Sequence, residues 1–135
     1  MGNLETQLYN ILVLLVSSRG EEVSYKDKLP EGIEEITKQR ELISDQYETK
    51  ILIKFSPEHM DRKKLDIIEP ETIKYSEIVN GKELPLRYEG IYSHKDSTLL
   101  VDVNFINSTV GVYLPPGHPK DYLDSTVDLI KTILS

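Results

Sequence analysis

The sequence has no cysteine and no long hydrophobic run, and each absence excludes a class of protein. Without cysteine the chain can form no disulfide, no thiolate nucleophile and no cysteine-based zinc site, and we expect a reducing, cytoplasmic compartment. The longest apolar run, Ile11 to Val16, is far shorter than the roughly 20 residues that span a bilayer. We therefore expect no integral membrane segment.

Basic side chains are in the minority. The chain has 16 Lys and Arg against 23 Asp and Glu, which gives a formal net charge of -7 at pH 7. A surface that follows nucleic-acid phosphates needs an excess of basic residues, so we expect neither DNA nor RNA as a partner. An acidic surface would instead complement a basic client protein.

Length and composition are those of one ordinary globular domain. The chain has 135 residues, of which 39% are hydrophobic and 29% charged. No internal repeat, low-complexity stretch or linker divides it. We therefore expect a single domain over residues 1–135.

The first residues fit a lipidation pattern. Met1 to Thr6 matches M-G-x-x-x-[ST], in which Gly2 would accept a myristoyl chain that binds membranes marginally and reversibly. Peripheral membrane association is one interpretation, and an ordinary N-terminus is the other. Because no Lys or Arg precedes Arg19, we expect no secretory signal.

The apolar segment from Leu8 to Ser18 fits either a strand or a helix. The turn-like Arg19-Gly20-Glu21-Glu22 and the alternating Val23-Ser24-Tyr25 that follow favour the buried first arm of a hairpin. A helix is the alternative. Its apolar face would hold Leu4, Leu8, Ile11, Leu12 and Leu15.

The next segment, Gly32 to Leu42, has helical spacing. Pro30 precedes it, acidic residues occupy its start, and apolar residues recur three or four positions apart. The spacing therefore predicts an amphipathic helix. Its outward face would carry Glu35, Lys38, Gln39 and Leu42, and the exposed Leu makes this face our candidate protein-interaction surface.

The rest of the chain predicts strands and a closing helix. Alternation predicts a strand from Tyr47 to Phe55, a short strand at Leu65 to Ile68 and two late, central strands. Asn80-Gly81 predicts a tight hairpin. Pro119 is placed to open a final helix. Its apolar stripe would contain Tyr122, Leu123, Val127, Ile130 and Leu134. The predicted fold class is α+β, a single antiparallel β-sheet with one helix after the first hairpin and a closing C-terminal helix.

Motifs for catalysis and cofactors are missing from the sequence. It contains no HExxH, GxGxxG, GxxxxGK[ST] or GxSxG pattern, so we assign no catalytic, cofactor-binding or metal-binding residue and expect no enzyme. Each histidine does stand near an acid, in the pairs His59 and Asp61, His94 and Asp96, and His118 and Asp121. A ligand or metal site at the His94 and His118 turns is therefore the alternative to exposed turn histidines.

Three stretches resemble the longin and roadblock group of small adaptor domains. Ile11 to Tyr25 looks like the opening hairpin of that fold, and Lys50 to Ile68 and Tyr88 to Ile106 are similar to parts of the longin domain in nitrogen-permease-regulator-type proteins. The extra strand pair around Asn80-Gly81 departs from the minimal pattern. The resemblance implies a non-catalytic scaffold that docks a small GTPase or pairs with a second such domain as a homo- or heterodimer.

Two further resemblances give alternative functions. Val110 to Leu134 is similar to the final strand and helix of profilin, which would imply a cytoskeletal regulator, although the sequence lacks the tryptophan of profilin's peptide platform. The strands that end at Gly111 to Pro115 look somewhat like an α-crystallin-type chaperone. A chaperone, or an acidic inhibitor or immunity-type protein with a basic client, is therefore the rival of the adaptor.

Overall fold

The structure, a computed structural model, describes residues 3–19, 22–43, 46–95 and 97–135, and of residues 41–43, 46 and 47 it describes the backbone alone. These residues form three α-helices and one antiparallel sheet of seven strands. The predicted α+β class with a single antiparallel sheet is confirmed.

The helices and strands follow one another along the chain in a simple order. The helices are α1 (Asn3–Ser17), α2 (Arg62–Leu65) and α3 (Lys120–Leu134), and a single 3-10 turn spans Pro57–His59. The strands are β1 (Glu22–Tyr25), β2 (Ile33–Ile43), β3 (Gln46–Phe55), β4 (Glu69–Val79), β5 (Lys82–His94), β6 (Ser97–Asn104) and β7 (Thr109–Leu114).

The sheet is covered by helices on one face. Its strand order is β1-β2-β3-β7-β6-β5-β4, so β7 is the middle strand and β4 forms an edge. Alternate residues of the inner strands, such as Ile51, Val101 and Val112, are buried with the apolar faces of α1 and α3 in one core. The opposite face, called the open face below, carries the intervening residues, such as Lys50, Asp102 and Gly111.

The predicted N-terminal hairpin is wrong, and the helical alternative is confirmed. The segment from Leu8 to Ser18 lies largely in α1, whose buried side chains are Leu8, Ile11, Leu12 and Leu15. Val13 and Leu14 lie on the exposed side of the helix, Leu14 with 60% of its surface accessible. The apolar run was continuous because it crosses both sides of a helix, and it therefore resembled a buried strand.

The predicted helix from Gly32 to Leu42 is also wrong, because this segment forms β2. The pairing of β2 with β3 shifts register between Ile33 and Glu35, and the resulting bulge lets Ile33 and Ile36 both reach the core. A three-residue spacing between apolar residues thus arises from a bulge and imitates a helical repeat. Pairing with β1 on one side and β3 on the other overrides the local helical pattern.

The later elements agree with the sequence, with two corrections. Strand β3, the β4–β5 hairpin, the late strands and α3 are confirmed, and Asn80 and Gly81 have φ values of 52° and 78°, as a tight hairpin turn requires. Pro119 caps α3 one residue before the helix begins. The predicted strand from Leu65 to Ile68 is wrong, because Leu65 is the last residue of α2. The side chains of Leu65 and Ile68 are both buried in the core.

Within the described residues, no helix combines the length and the apolar sequence needed to cross a membrane. Gly2, the residue on which the myristoylation pattern depends, lies outside the described residues.

Candidate functional site

The four residues predicted to form an interaction surface lie along β2. Alternation along the strand places Glu35 and Gln39 on the open face, whereas Lys38 lies on the helix-covered face and is only 5% exposed. The side chain of Leu42 lies outside the described residues. The structure therefore does not bring Glu35, Lys38 and Gln39 together on one exposed face, as a helix would have done.

Glu35 is engaged in local contacts. Its carboxylate accepts a hydrogen bond of 3.0 Å from Thr37 Oγ1 and lies 3.3 Å from Lys26 Nζ. The hydrogen bond from Thr37 and the ammonium of Lys26 lower the pKa of Glu35. These contacts tie the open face of β2 to the loop before it.

The most exposed apolar surface among the described residues lies on edge strand β4. All 11 residues of β4 are exposed. Four of them are large and apolar, with accessible fractions of 47%, 59%, 74% and 41% for Ile73, Tyr75, Ile78 and Val79. Exposed apolar side chains concentrated along one edge strand commonly mark an interaction site.

The tip of the β4–β5 hairpin projects beyond the sheet. The last pair between β5 and β6 is Arg87 with Asn104, whereas β4 and β5 continue to pair until Val79 and Lys82. We call the projecting part, Ser76 to Pro85, the arm. The arm offers the outer edge of β4 to solvent without a neighbouring strand in the described structure.

Arg62, the first residue of α2, holds the arm at its base. Its guanidinium donates to the carbonyl oxygen of Pro85, lies 3.7 Å from the carboxylate of Glu77 and stacks 4.3 Å from the ring centre of Phe105. One side chain thereby contacts both strands of the arm and the end of β6. These contacts join the arm to α2 and to Phe105.

A second polar cluster lies on the open face and joins three strands. Lys50 Nζ of β3 lies 3.1 Å from Asp102 Oδ2 of β6, and Arg87 of β5 donates to both oxygens of the same carboxylate at 3.2 and 2.9 Å. Lys50 reaches Asp102 across β7 because Gly111 has no side chain there; a Cβ on Gly111 would lie 2.4 Å from Lys50 Cε. Burial raises the pKa of Asp102, but Arg87 and Lys50 outweigh it and the pKa is lowered.

The three histidines lie in separate environments. His94 Nδ1 lies 3.1 Å from Asp128 Oδ2, which also accepts from the hydroxyl of Tyr92, whereas the predicted partner Asp96 lies outside the described residues. His118 contacts Thr49 instead of Asp121, with 2.8 Å between Nε2 and Oγ1. No group of three or more potential metal ligands occurs in the described part of the chain.

His118 borders a recess of about 430 Å³ beyond the end of α1. Its charged and polar lining includes Arg19, Lys38, Arg40, Thr49 and His118. The recess lies on the helix-covered side of β2 and β3, under the loop that joins β7 to α3. The sequence singled out His118, but only the fold brings it to these three cations.

The arm and the recess were not predicted as sites. The sequence did signal the arm's turn through Asn80-Gly81, but it gave no measure of how far the hairpin extends past its neighbouring strand. Lys38 was predicted to be exposed on a helix and is buried on a strand. Its burial depends on the position of α1, which the sequence pattern alone did not place.

No family model matches the chain, and no curated protein or solved structure matches it.

Proposed function

We propose that the chain is a cytoplasmic protein-interaction domain that binds a partner along β4, where an extended segment of the partner adds a strand to the sheet. The observation that carries the proposal is the 11-residue edge strand whose every residue is exposed and which bears four large apolar side chains. Strand addition uses the unpaired backbone groups of such an edge for affinity and the alternate side chains for specificity.

The apolar side chains on β4 need an explanation beyond edge protection. Charged residues, proline and bulges commonly protect edge strands from unwanted pairing, and β4 has Pro70, Lys74 and several register shifts. Exposed apolar residues have the reverse effect, because they promote association. Strand β4 has such residues at Ile73, Tyr75 and Ile78. Burying one such side chain against a partner contributes about 1.5–3 kcal/mol.

The charge of β4 indicates the chemistry of the partner. The strand carries Glu69, Glu71 and Glu77 against the single cation Lys74, and the whole chain has a net charge of -7. An extended segment with alternating apolar and basic side chains complements this edge. We propose such a segment as the occupant.

The resemblance to longin and roadblock domains adds partner classes to this proposal. It implies a small GTPase or a second domain of the same kind, either of which can present an edge strand. The rival, an acidic inhibitor with a basic client, would use the same acidic edge. A second copy of the chain is distinguished from a foreign partner by sedimentation of the purified chain, because a homodimer forms without additions and depends on concentration.

The proposal is tested by placing a photoreactive amino acid at Tyr75 and, as a matched control, at Leu14, which is 60% exposed on α1. We expect a discrete crosslinked partner from position 75 and none from position 14. The identified partner is then purified and its affinity is measured for Ile78→Lys and for Leu14→Lys, which change net charge equally.

We expect Ile78→Lys to weaken binding at least about tenfold, because it places a cation where the partner presents apolar and basic groups. Leu14→Lys should bind as the unmodified chain does. Equal affinities for the two variants would reject β4 as the binding edge, and so would crosslinking from position 14 alone.

A further inference from the structure

We propose that the recess beyond α1 binds the phosphate group of a small phosphate monoester. The proposal does not rest on the interaction at β4, which lies at the opposite edge region of the sheet from β2. It rests on the juxtaposition of Arg19, Lys38, Arg40, Thr49 and His118 around one cavity.

The charged residues that the structure describes in the lining of the recess are all cations. Arg19, Lys38 and Arg40 contribute three cations, and none of its described lining residues is an Asp or Glu. Arg40 and Thr49 are direct cross-strand partners, and Lys38 lies two residues before Arg40 on the same face of β2. A cavity lined by several cations attracts an anion.

Lys38 is the strongest single indication of a ligand. It is only 5% exposed, and its ammonium donates a hydrogen bond of 2.5 Å to the carbonyl oxygen of Ser18 at the end of α1. Among the described residues no carboxylate lies within 4.0 Å of it. A buried charge is costly without an opposite charge, and a bound anion supplies one.

The loop above the recess places further polar groups beside these cations. Gly117 and His118 both have positive φ, 82° and 49°, and the second value is uncommon for a residue with a side chain. The His118 ring contacts Thr49, whose hydroxyl is 2.8 Å from Nε2. Burial, followed by the positive charge of Lys38, lowers the pKa of His118.

The charge and the size of the recess indicate the class of ligand. Three cations, a hydroxyl and an imidazole suit the doubly charged, multiply accepting phosphate group better than a singly charged carboxylate. The volume of about 430 Å³ leaves room for the organic part of a small molecule. We therefore assign a phosphate monoester and not free phosphate.

The test is a nuclear magnetic resonance titration of the isotope-labelled full chain with three probes at constant ionic strength: phenyl phosphate, inorganic phosphate and acetate. At a pH above about 7 the monoester is mostly a dianion. We expect saturable shifts at Thr49, Gly117 and His118 with both phosphates, tighter binding of phenyl phosphate, and no saturable shift with acetate.

Variants locate the site. Lys38→Met should weaken phenyl phosphate binding about tenfold, whereas Lys54→Met, which removes an exposed cation of the open face, should leave it within about twofold. Arg40→Gln changes an exposed residue and should weaken binding about fivefold even if Lys38→Met does not fold.

Each remaining result contradicts the proposal. If the Lys38, Arg40 and Lys54 variants bind phenyl phosphate with equal affinity, the binding site does not lie in the recess. Equal binding of acetate would reject the selectivity for phosphate, and binding of inorganic phosphate alone would reject a monoester. Loss of partner binding at β4 would leave these outcomes unchanged, because the titration uses the chain by itself.

Discussion

Asp102 lies on the open face between two charged side chains, Lys50 and Arg87. It is 5% exposed and accepts from Lys50 and Arg87, of which Lys50 is buried with it. Removing the negative charge leaves the Lys50 ammonium buried without its counterion. The cluster therefore stabilises the sheet only as a complete set.

We expect Asp102→Asn to lower the free energy of unfolding by about 3–5 kcal/mol, because it breaks a buried ion pair by removing one partner. Urea unfolding followed by circular dichroism measures this change. Asp27→Asn, at an exposed carboxylate, is the control and should stay within about 0.5 kcal/mol. A loss of similar size in both variants would show that the Asp102 contacts contribute nothing specific.

Tyr88 makes stability depend on pH in the alkaline range. Its hydroxyl donates to the carbonyl oxygen of Leu65 at 3.1 Å, and burial, aided by the negative charge of Asp66, raises its pKa to about 12. Tyr92 also has a pKa of about 12, chiefly because of burial and its hydrogen bond to Asp128. Between pH values of about 10 and 12 the unfolded chain loses these protons while the folded chain keeps them.

Stability should therefore fall as the pH rises above about 10, by about 1.4 kcal/mol per pH unit for each of the two tyrosines. Urea unfolding at pH 9 and 11.5 measures this fall. Tyr88→Phe should remove about half of it, whereas Tyr75→Phe, at a 59% exposed residue, should leave it unchanged. If the stability of Tyr88→Phe depends on pH as that of the unmodified chain does, Tyr88 is not a source of the alkaline loss of stability.

At the scale of elements, a single side chain of α2 contacts both strands of the arm. Arg62 contacts Glu77, Pro85 and Phe105, so it links both strands of the arm to the sheet. A two-stranded ribbon is marginally stable by itself in water. Its order should therefore depend on this contact.

We expect Arg62→Ala to raise hydrogen exchange of the amides from Ser76 to Pro85 by about tenfold, while exchange in β3 and β7 stays unchanged. Hydrogen exchange with mass spectrometry measures this directly. Lys63→Ala, at the exposed neighbouring residue, is the matched control. If the two variants exchange alike in the arm, Arg62 does not hold it.

Sequence patterns predicted those elements whose signals are local. Asn80-Gly81 determines its own turn because both residues adopt positive φ, and α3 carries its apolar stripe within one helix. The first two elements were wrong for a different reason. Which side chains of α1 and of the β2 bulge are buried depends on residues far along the chain: α1 packs into the common core, and Ile33 at the bulge pairs with Phe55.

The candidate sites were less predictable than the elements. The turn of the arm was predicted, but the arm's projection depends on where β6 stops pairing with β5. The recess combines residues after α1, on β2 and β3 and before α3, so its charges meet only when the sheet is complete. Of the lining residues, the sequence indicated His118, with Asp121, which is not its partner in the fold, and Lys38, on the outward face of a predicted helix.

At the scale of the whole molecule, the two edges of the sheet are unequal. Strand β1 has four residues, whereas β4 has 11, all of them exposed. The helices cover one face and leave the backbone edge of β4 unpaired in the described structure. This inequality supports our proposal that a partner binds at β4.

The most direct test is hydrogen exchange of the chain alone and in complex with the partner identified by crosslinking at position 75. Addition of a strand protects backbone amides, which side-chain contact by itself does not. We expect slower exchange across Glu69–Val79 in the complex and unchanged exchange in α1. Protection confined to α1 or to the open face, with β4 exchanging as it does in the free chain, would contradict the account.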